Sequence, residues 1–99
     1  MNLKIQCIIP SDHPSLAGHF PGNPIVPGVV ILDEVLNALA ESGRNCRLQS
    51  IPSVKFLTPL RPNQVFTIHL TGSDDQRVKF RCSLNGQLLA QGELEIIPC

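Results

Sequence analysis

The sequence has no tryptophan and no tyrosine, and its four aromatic residues are all phenylalanine. Proteins that bind single-stranded nucleic acid usually stack the bases on aromatic rings, so this scarcity argues against that function. An excess of one charge is also missing, because eight basic residues balance eight acidic ones. We therefore expect that neither nucleic acid nor an anionic membrane surface is bound through net charge.

Long hydrophobic runs are absent as well. No apolar stretch approaches the roughly 20 residues of a membrane span, and residues 1–6 lack the apolar centre of a signal peptide. We predict a cytoplasmic protein with no membrane span. The four cysteines lack the two-residue spacing of zinc and redox motifs, so we expect free thiols, no metal and no cofactor. They are Cys7, Cys46, Cys82 and Cys99.

The sequence does contain enough apolar residues for one core. Its 99 residues are 42% hydrophobic, which fits a single domain over residues 1–99. Alternation and β-forming residues predict five strands, at residues 3–9, 47–57, 64–72, 76–84 and 87–97. The only predicted helix spans residues 29–42, with Gly43 as a left-handed C-cap.

The predicted helix is apolar on almost every side, so other structure has to surround it. Its polar residues Glu34, Asn37 and Glu41 form a narrow arc, and Asp33 falls at the edge of that arc. One long central helix wrapped by a curved antiparallel β-sheet satisfies both patterns, so we predict an α+β fold of this kind. Such a sheet leaves an edge strand that a second copy of the chain could extend.

The last two predicted strands are joined at Asn85-Gly86, a pair typical of tight hairpin turns. A two-residue turn would pair the apolar residues on one face of the first strand with a face of the second strand that mixes apolar and polar residues. A three-residue loop over residues 84–86 instead pairs Cys82 with Leu88. Because register follows the buried face, we predict the longer loop, with Gly86 left-handed in a bulge.

The loop over residues 10–28 leads to the residues of chemical interest. His19 lies in a proline-stiffened stretch beside glycines, which allow a ligand to approach the backbone closely. Fourteen positions later Asp33 projects from the first turns of the helix, whose start at Gly28 presents unpaired N–H groups. A base, an acid and an N–H donor in one segment suit proton removal beside a carbonyl with loss of a β-hydroxyl.

Each of these residues also has a plainer interpretation. His19 could be a structural loop residue that bonds the backbone, and Asp33 could only stabilise the helix through its dipole. Glu34 is the alternative acid, although the centre of the polar arc is expected to face solvent or a dimer surface. His13 is interpreted as an exposed turn residue, and His69 as a half-buried strand residue.

Residues 18–33 read Gly-His-Phe-Pro-Gly-Asn-Pro-Ile-Val-Pro-Gly-Val-Val-Ile-Leu-Asp. This segment resembles the β-hydroxyacyl-acyl carrier protein dehydratases of the hot-dog fold. Their pattern is Gly-His-Phe-Pro-Gly-x-Pro, then Pro-Gly-Val, then an acidic residue fourteen positions after the histidine. Looser similarity includes Lys55-Phe56 and residues 90–94. The resemblance implies dehydration of a 3-hydroxyacyl thioester to the trans-2-enoyl thioester, in fatty-acid or specialised polyene lipid biosynthesis.

By position, the resemblance makes His19 the base that removes the α-proton and Asp33 the acid that helps the 3-hydroxyl leave. The Gly28 N–H would polarise the thioester carbonyl, and Phe20 and Pro27 would contribute to the substrate site. In the family the histidine and the acid meet across a dimer interface, which implies a homodimer, with a trimer of dimers as the alternative. Phosphopantetheine on an acyl carrier protein would bring the acyl chain into an apolar tunnel.

The chain departs from the family pattern in two respects. The acid is Asp33, where the commoner branch has glutamate and the branch that also isomerises the double bond has aspartate. We also expect no N-terminal extension of the kind that helps cover the substrate in standard fatty-acid enzymes, which leaves acyl length and pathway open. Two other functions stay open, a hot-dog acyl thioesterase and a non-catalytic acyl-binding subunit.

Five cations lie mostly on the later strands: Lys55, Arg61, Arg77, Lys79 and Arg81. Exposed basic side chains that are scattered along the chain are usually only hydrated, so we interpret these residues as a solvent-facing side of the strands. Because acyl carrier proteins are acidic, some of these side chains could also dock one through screened charge pairs.

Overall fold

A computed structural model describes residues 1–16, 25–43, 46–72, 74 and 76–98 of the chain. Its elements are β1 (Asn2–Ile8), a short 3-10 helix (Pro14–Leu16), α1 (Gly28–Glu41), β2 (Cys46–Phe56), β3 (Val65–Gly72), β4 (Arg77–Leu84) and β5 (Gln87–Pro98). The strands form one antiparallel sheet in the order β1-β3-β4-β5-β2. The predicted α+β architecture is confirmed, and each predicted strand and helix boundary lies within one residue of the observed one.

The core lies between α1 and one face of the sheet. Alternate residues of the central strands point inward because side chains in a strand alternate between its two faces. The buried strand residues include Ile68, Leu70, Val78, Phe80, Cys82, Leu94 and Ile96, and α1 buries Val30, Ile31, Val35, Ala38 and Leu39. No polar or charged residue is buried in the described part of the chain. Three alternate residues of β1, Leu3, Ile5 and Cys7, are partly buried and also pack against this core.

The two ends of α1 follow from local chemistry. Pro27 has an extended backbone and occupies the N-cap position, and its carbonyl accepts the Val30 N–H at 3.0 Å. At the other end the Ser42 hydroxyl donates to the Leu39 carbonyl at 2.6 Å. Gly43 then adopts a φ of 82°, as predicted for a left-handed C-cap residue.

The predicted three-residue hairpin loop is wrong. Leu84 pairs directly with Gln87, so the turn contains only Asn85 and Gly86, whose φ angles are 50° and 81°. Two successive residues with positive φ are what a type I′ turn requires, and Asn-Gly is a preferred pair for it. The preference of Asn-Gly for a two-residue turn therefore determines the loop length here, rather than the pairing of apolar residues between the two strands.

The apolar rows still meet, because the register shifts beyond the turn. Cys82 pairs with Ala90 rather than with the predicted Leu88, and Leu88 lies opposite Ser83. Leu89 is the extra residue of this bulge and is buried, whereas Leu88 lies partly exposed on the outer face of the sheet. A bulge thus restores the buried-face register that the short turn would otherwise break.

The sheet has two edge strands, β1 and β2. Most of β2 is exposed, and its only partner in the described chain is β5. The bulged residue Leu89 anchors the segment after β2, since its carbonyl accepts the N–H groups of Leu57 and Thr58 at 2.8 and 3.2 Å. Among the described residues, no helix is long and apolar enough to cross a membrane.

Candidate active site

The N-terminal end of α1 opens onto an apolar cavity of about 590 Å³. The Val26 N–H donates to the Leu60 carbonyl at 2.8 Å, which ties the approach to the helix to the segment that follows β2. Both segments line the cavity, through Ile25, Val26, Gly28, Val29, Ile31, Phe56, Leu57, Thr58, Pro59 and Leu60. An apolar space beside helix N–H groups can hold an acyl chain together with a polar carbonyl.

Gly28 lies in close contact with the aromatic ring of Phe56. A Cβ added at Gly28 would lie 2.6 Å from Cζ of Phe56 and 2.9 Å from two further ring atoms, so a larger residue here would displace the ring. The Phe56 side chain is 49% exposed, which makes it a wall of the cavity rather than part of the core. Glycine thus lets the ring pack on the backbone at the first turn of α1, where N–H groups have no partner within the helix.

Asp33 lies on the exposed side of α1 in the single chain. It comes one turn after Val29, which is 62% exposed although it is apolar and lines the cavity. From Gly28 to Asp33 the helix advances about 7.5 Å. The predicted acid and the predicted N–H donor therefore lie on adjacent turns of one helix.

Two predicted site residues, His19 and Phe20, lie outside the described residues. Of the other predicted site residues, Gly28 lines the cavity, Asp33 lies one turn further along α1, and Pro27 caps the helix. Asp33 is not among the residues that line the cavity, and its position five residues after Gly28 places it about 140° around the helix from that glycine. The role of His19 as the base stays a prediction.

Glu34, the alternative acid, does not simply face solvent. It is partly buried against β1, and its Oε2 accepts a hydrogen bond from the Cys7 thiol at 3.3 Å. Burial, and then the hydrogen bond and charge of Glu34, raise the pKa of Cys7 from 9.0 to about 12. Glu34 therefore has a partner within its own chain, whereas Asp33 is exposed on α1.

Cys7 is expected to resist alkylation in the folded protein. A pKa raised from 9.0 to about 12 lowers the thiolate fraction at pH 8 about 10³-fold, and the thiolate is the reactive form. We expect iodoacetamide to label Cys7 about 10³-fold more slowly in buffer than in urea, as measured by peptide mass spectrometry. Glu34→Gln should speed labelling, and Asp33→Asn should not. Labelling at the same rate in buffer and urea would contradict this assignment.

The remaining predicted candidates lie elsewhere. His69 is on the outer face of the sheet, where its Nε2 lies 2.6 Å from Oδ1 of Asn2. His13 precedes the 3-10 helix, and its carbonyl accepts the Leu16 N–H at 2.9 Å. Within the described ranges, no group of three histidine, cysteine or acidic residues is placed to hold a metal ion.

The sequence analysis missed the contribution of residues 56–60 to the cavity. Phe56 and Leu57 are both large, apolar and about half exposed, at the end of an edge strand. The available signal was the run Phe-Leu-Thr-Pro-Leu, whose apolar character continues past the strand into a proline-containing segment. Exposed apolar residues around a cavity mark a binding surface.

Comparison with known proteins identifies the family. The model of the ApeI-like family, described as ApeI dehydratase, matches residues 1–93. The chain is 30% identical over 92 residues to the 3-hydroxyacyl-(acyl-carrier-protein) dehydratase FabZ of Lactobacillus helveticus, covering 81% of this chain and 62% of that protein. It is also 30% identical over 100 residues to FabZ of Chlamydia trachomatis serovar L2, covering 87% and 65%. The chain thus spans less than two thirds of the length of these curated relatives.

Solved structures give the same fold. The dehydratase heterocomplex ApeI:P from Xenorhabdus doucetiae superposes with a TM-score of 0.83 at 28% identity, over 96% of this chain and 86% of that one. An acyl-CoA hydrolase mutant from Staphylococcus aureus superposes with a TM-score of 0.71 at 13% identity, over 98% and 65%, which shows the fold alone. With α1 packed against a five-stranded antiparallel sheet, the chain has the hot-dog fold and belongs to the ApeI-like dehydratase family.

Proposed function

We propose that residues 1–99 act as one hot-dog domain that dehydrates a 3-hydroxyacyl thioester to the trans-2-enoyl thioester. The observation that carries this proposal is the apolar cavity at the start of α1, one turn from Asp33, in a chain that matches a dehydratase family over residues 1–93. Because similar proteins are named 3-hydroxyacyl-(acyl-carrier-protein) dehydratases, the proposed substrate is carried on an acyl carrier protein.

Three groups of the protein act in the proposed reaction. His19 removes the proton from the α-carbon, and the Gly28 N–H stabilises the negative charge that develops on the thioester oxygen. The electron pair then forms the double bond between the α- and β-carbons as the β-carbon–oxygen bond breaks. Asp33 donates a proton to the departing hydroxyl, which leaves as water. These steps balance in atoms and charge without a cofactor.

We further propose that the working unit is a homodimer formed along β2. The surface beside the cavity leaves Val29, Phe56 and Leu57 exposed, next to an edge strand with no partner on its outer side in the described chain. A second copy that pairs along β2 would cover these side chains and enclose Asp33. Enclosing the site excludes water, and this strengthens the electrostatic interactions on which an acid depends. Assembly into a trimer of dimers is the further possibility.

A second candidate assembly contains a different partner subunit. The similar Xenorhabdus chain forms part of a dehydratase heterocomplex. A related hot-dog chain in place of the second copy would supply the same edge strand. Sedimentation of the purified chain, alone and with candidate partners, separates the two assemblies.

The test of the proposed function is turnover by the purified chain. We expect 3-hydroxyacyl carrier proteins of several acyl lengths to lose one water each, as measured by intact mass, with the enoyl product absorbing in the ultraviolet. A thioesterase would instead release a free thiol with no enoyl product. Tight acyl binding without turnover would identify a non-catalytic subunit and contradict the proposal.

We also propose that the protein works in the cytoplasm. Reduced thiols persist in that compartment, and Cys7, Cys46 and Cys82 are free in the described structure. Fractionation of the source cells, with immunodetection of the chain in each fraction, tests this location.

A further inference from the structure

One side of the apolar cavity is formed by residues 57–60, which we call the cavity segment. It begins directly after Phe56, the last residue of β2. In the single chain Leu57 is 52% exposed and Pro59 is also exposed, whereas Leu60 at the other end is buried. Packing against the core therefore holds only the far end of the cavity segment, and the near end depends on hydrogen bonds.

Three hydrogen bonds attach the near end of the cavity segment to β5. The N–H groups of Leu57 and Thr58 both donate to the Leu89 carbonyl, at 2.8 and 3.2 Å. The Thr58 hydroxyl donates to the carbonyl of Leu88 at 3.1 Å. Leu89 is the extra residue of the bulge and has no partner on β4, and a bulge locally disrupts the regular ladder of backbone hydrogen bonds. The bulge thus offers two successive carbonyls to the cavity segment.

The far end of the cavity segment is attached to the approach to α1. The Leu60 carbonyl accepts the N–H of Val26 at 2.8 Å, shortly before the helix begins at Gly28. Pro59, between the two attachments, has no N–H and adds no donor of its own. The cavity segment therefore extends from the bulge of β5 to the helix start that carries the proposed N–H donor.

Thr58 supplies the one side-chain hydrogen bond among these four attachments. The other three join backbone groups, which most residue types would supply equally well. Thr58 is half-buried and lines the cavity. Because its hydroxyl already donates to the Leu88 carbonyl, Thr58 can lie against an acyl chain without leaving that donor unpaired. The hydroxyl therefore holds the cavity segment rather than a polar ligand.

We propose that Thr58 is a positioning residue, which fixes the cavity segment against the β5 bulge and so determines how strongly the cavity binds each added methylene of an acyl chain. This inference rests on the proposed function for the nature of the ligand. Complete burial of one methylene is worth about fourfold in affinity. A cavity segment that is free to move away would keep only part of these contacts, since van der Waals attraction falls steeply with a small gap. Thr58 acts through the cavity segment and touches none of the reacting atoms.

Hydrogen exchange measures the attachment directly. Thr58→Val keeps the size of the side chain but removes the hydroxyl, so the Leu57 amide should exchange roughly fivefold faster, which corresponds to the loss of about one net hydrogen bond. Thr58→Ser keeps the hydroxyl and should exchange at the original rate. Thr67→Val makes the same substitution on the outer face of β3, away from the cavity, and is the control. Amide exchange resolved by NMR, at equal protein concentration, gives the rates.

Binding of a series of acyl ligands tests the consequence for recognition of the chain. Saturated acyl-pantetheine amides of increasing length carry no 3-hydroxyl, so they bind without dehydration. In the unmodified chain each added methylene should raise the affinity about fourfold until the cavity is full, whereas in Thr58→Val the gain should fall below about twofold. With a carrier-bound 3-hydroxyacyl substrate, KM should rise while kcat stays within about twofold. Thr58→Ser and Thr67→Val should keep the original dependence on acyl length.

The possible outcomes separate this inference from the proposed function. An unchanged Leu57 exchange rate in Thr58→Val, or an equal increase in Thr58→Ser or Thr67→Val, overturns the positioning role. Faster exchange with an unchanged dependence on acyl length overturns it as well, because the attachment would then not affect the bound chain. Faster exchange together with a weaker dependence on acyl length supports the positioning role. If no substrate is dehydrated in that case, only the proposed function is rejected.

Discussion

Asp33→Asn is expected to lower dehydration of a 3-hydroxyacyl thioester by about 10²–10⁴-fold, the usual contribution of a general acid. Asparagine keeps the size and shape of the side chain, but it cannot donate the proton that the leaving hydroxyl requires. Because Asp33 is exposed on α1 in the single chain, the variant should fold normally. Formation of the enoyl product, followed by absorbance and mass, measures the loss, and circular dichroism checks the fold.

Glu34→Gln is the matched control for that variant. Glu34 is the next residue along α1, but it lies against β1 and accepts the Cys7 thiol hydrogen bond. We expect its turnover to stay within a few-fold of the unmodified chain, since a glutamine oxygen can still accept this hydrogen bond. Full activity in Asp33→Asn, or an equal loss in Glu34→Gln, would remove Asp33 from the proposed role of acid.

Gly92→Ala is expected to lower the free energy of unfolding by about 2 to 3 kcal/mol, the upper range for overpacking a core. A Cβ at Gly92 would meet the backbone carbonyl of Ser53 on β2 and would lie 2.7 Å from Cζ of the buried Phe80. Neither neighbour can move freely, so β2 would have to shift away from β5. Urea unfolding at fixed protein concentration measures the change, and Tm should fall by roughly 10–20 °C.

Gly43→Ala is the comparison variant that measures the cost of backbone strain without steric crowding. Gly43 has a φ of 82°, but a Cβ there would meet nothing within 4 Å. Only the left-handed backbone opposes the substitution, which costs about 1 kcal/mol. If Gly92→Ala proves no more destabilising than Gly43→Ala, then β2 is not held to β5 by the close approach at Gly92. Because β2 also carries Phe56, the Gly92 variant should lose activity along with stability.

The sequence was sufficient for the secondary structure because its signals are local. Alternation of apolar residues or richness in β-forming residues marks every strand, and Gly43 marks the end of α1, so each boundary could be predicted within one residue. The hairpin could not be predicted, since two local rules disagreed there. Asn85-Gly86 favours a two-residue turn, whereas the apolar rows favour a longer loop, and the bulge at Leu89 satisfies both. A bulge adds one residue to a pairing and has no distinct sequence pattern of its own.

The candidate site was predictable only in part for a similar reason. Gly28 and Asp33 lie on one helix, so their separation follows from sequence spacing alone. The wall formed by Phe56 comes from a strand that is distant in the sequence, and only the tertiary contact at Gly28 reveals it.

Mixing two inactive variants tests most directly whether the site is shared between copies. His19→Ala and Asp33→Asn should each be nearly inactive alone, since each dimer then lacks either both bases or both acids. After subunit exchange half of the dimers should be mixed, and each mixed dimer should contain one intact pair, so about a quarter of the original activity should return. No recovery, in a mixture whose subunit exchange has been verified by native mass spectrometry, would contradict a site built from two copies of this chain.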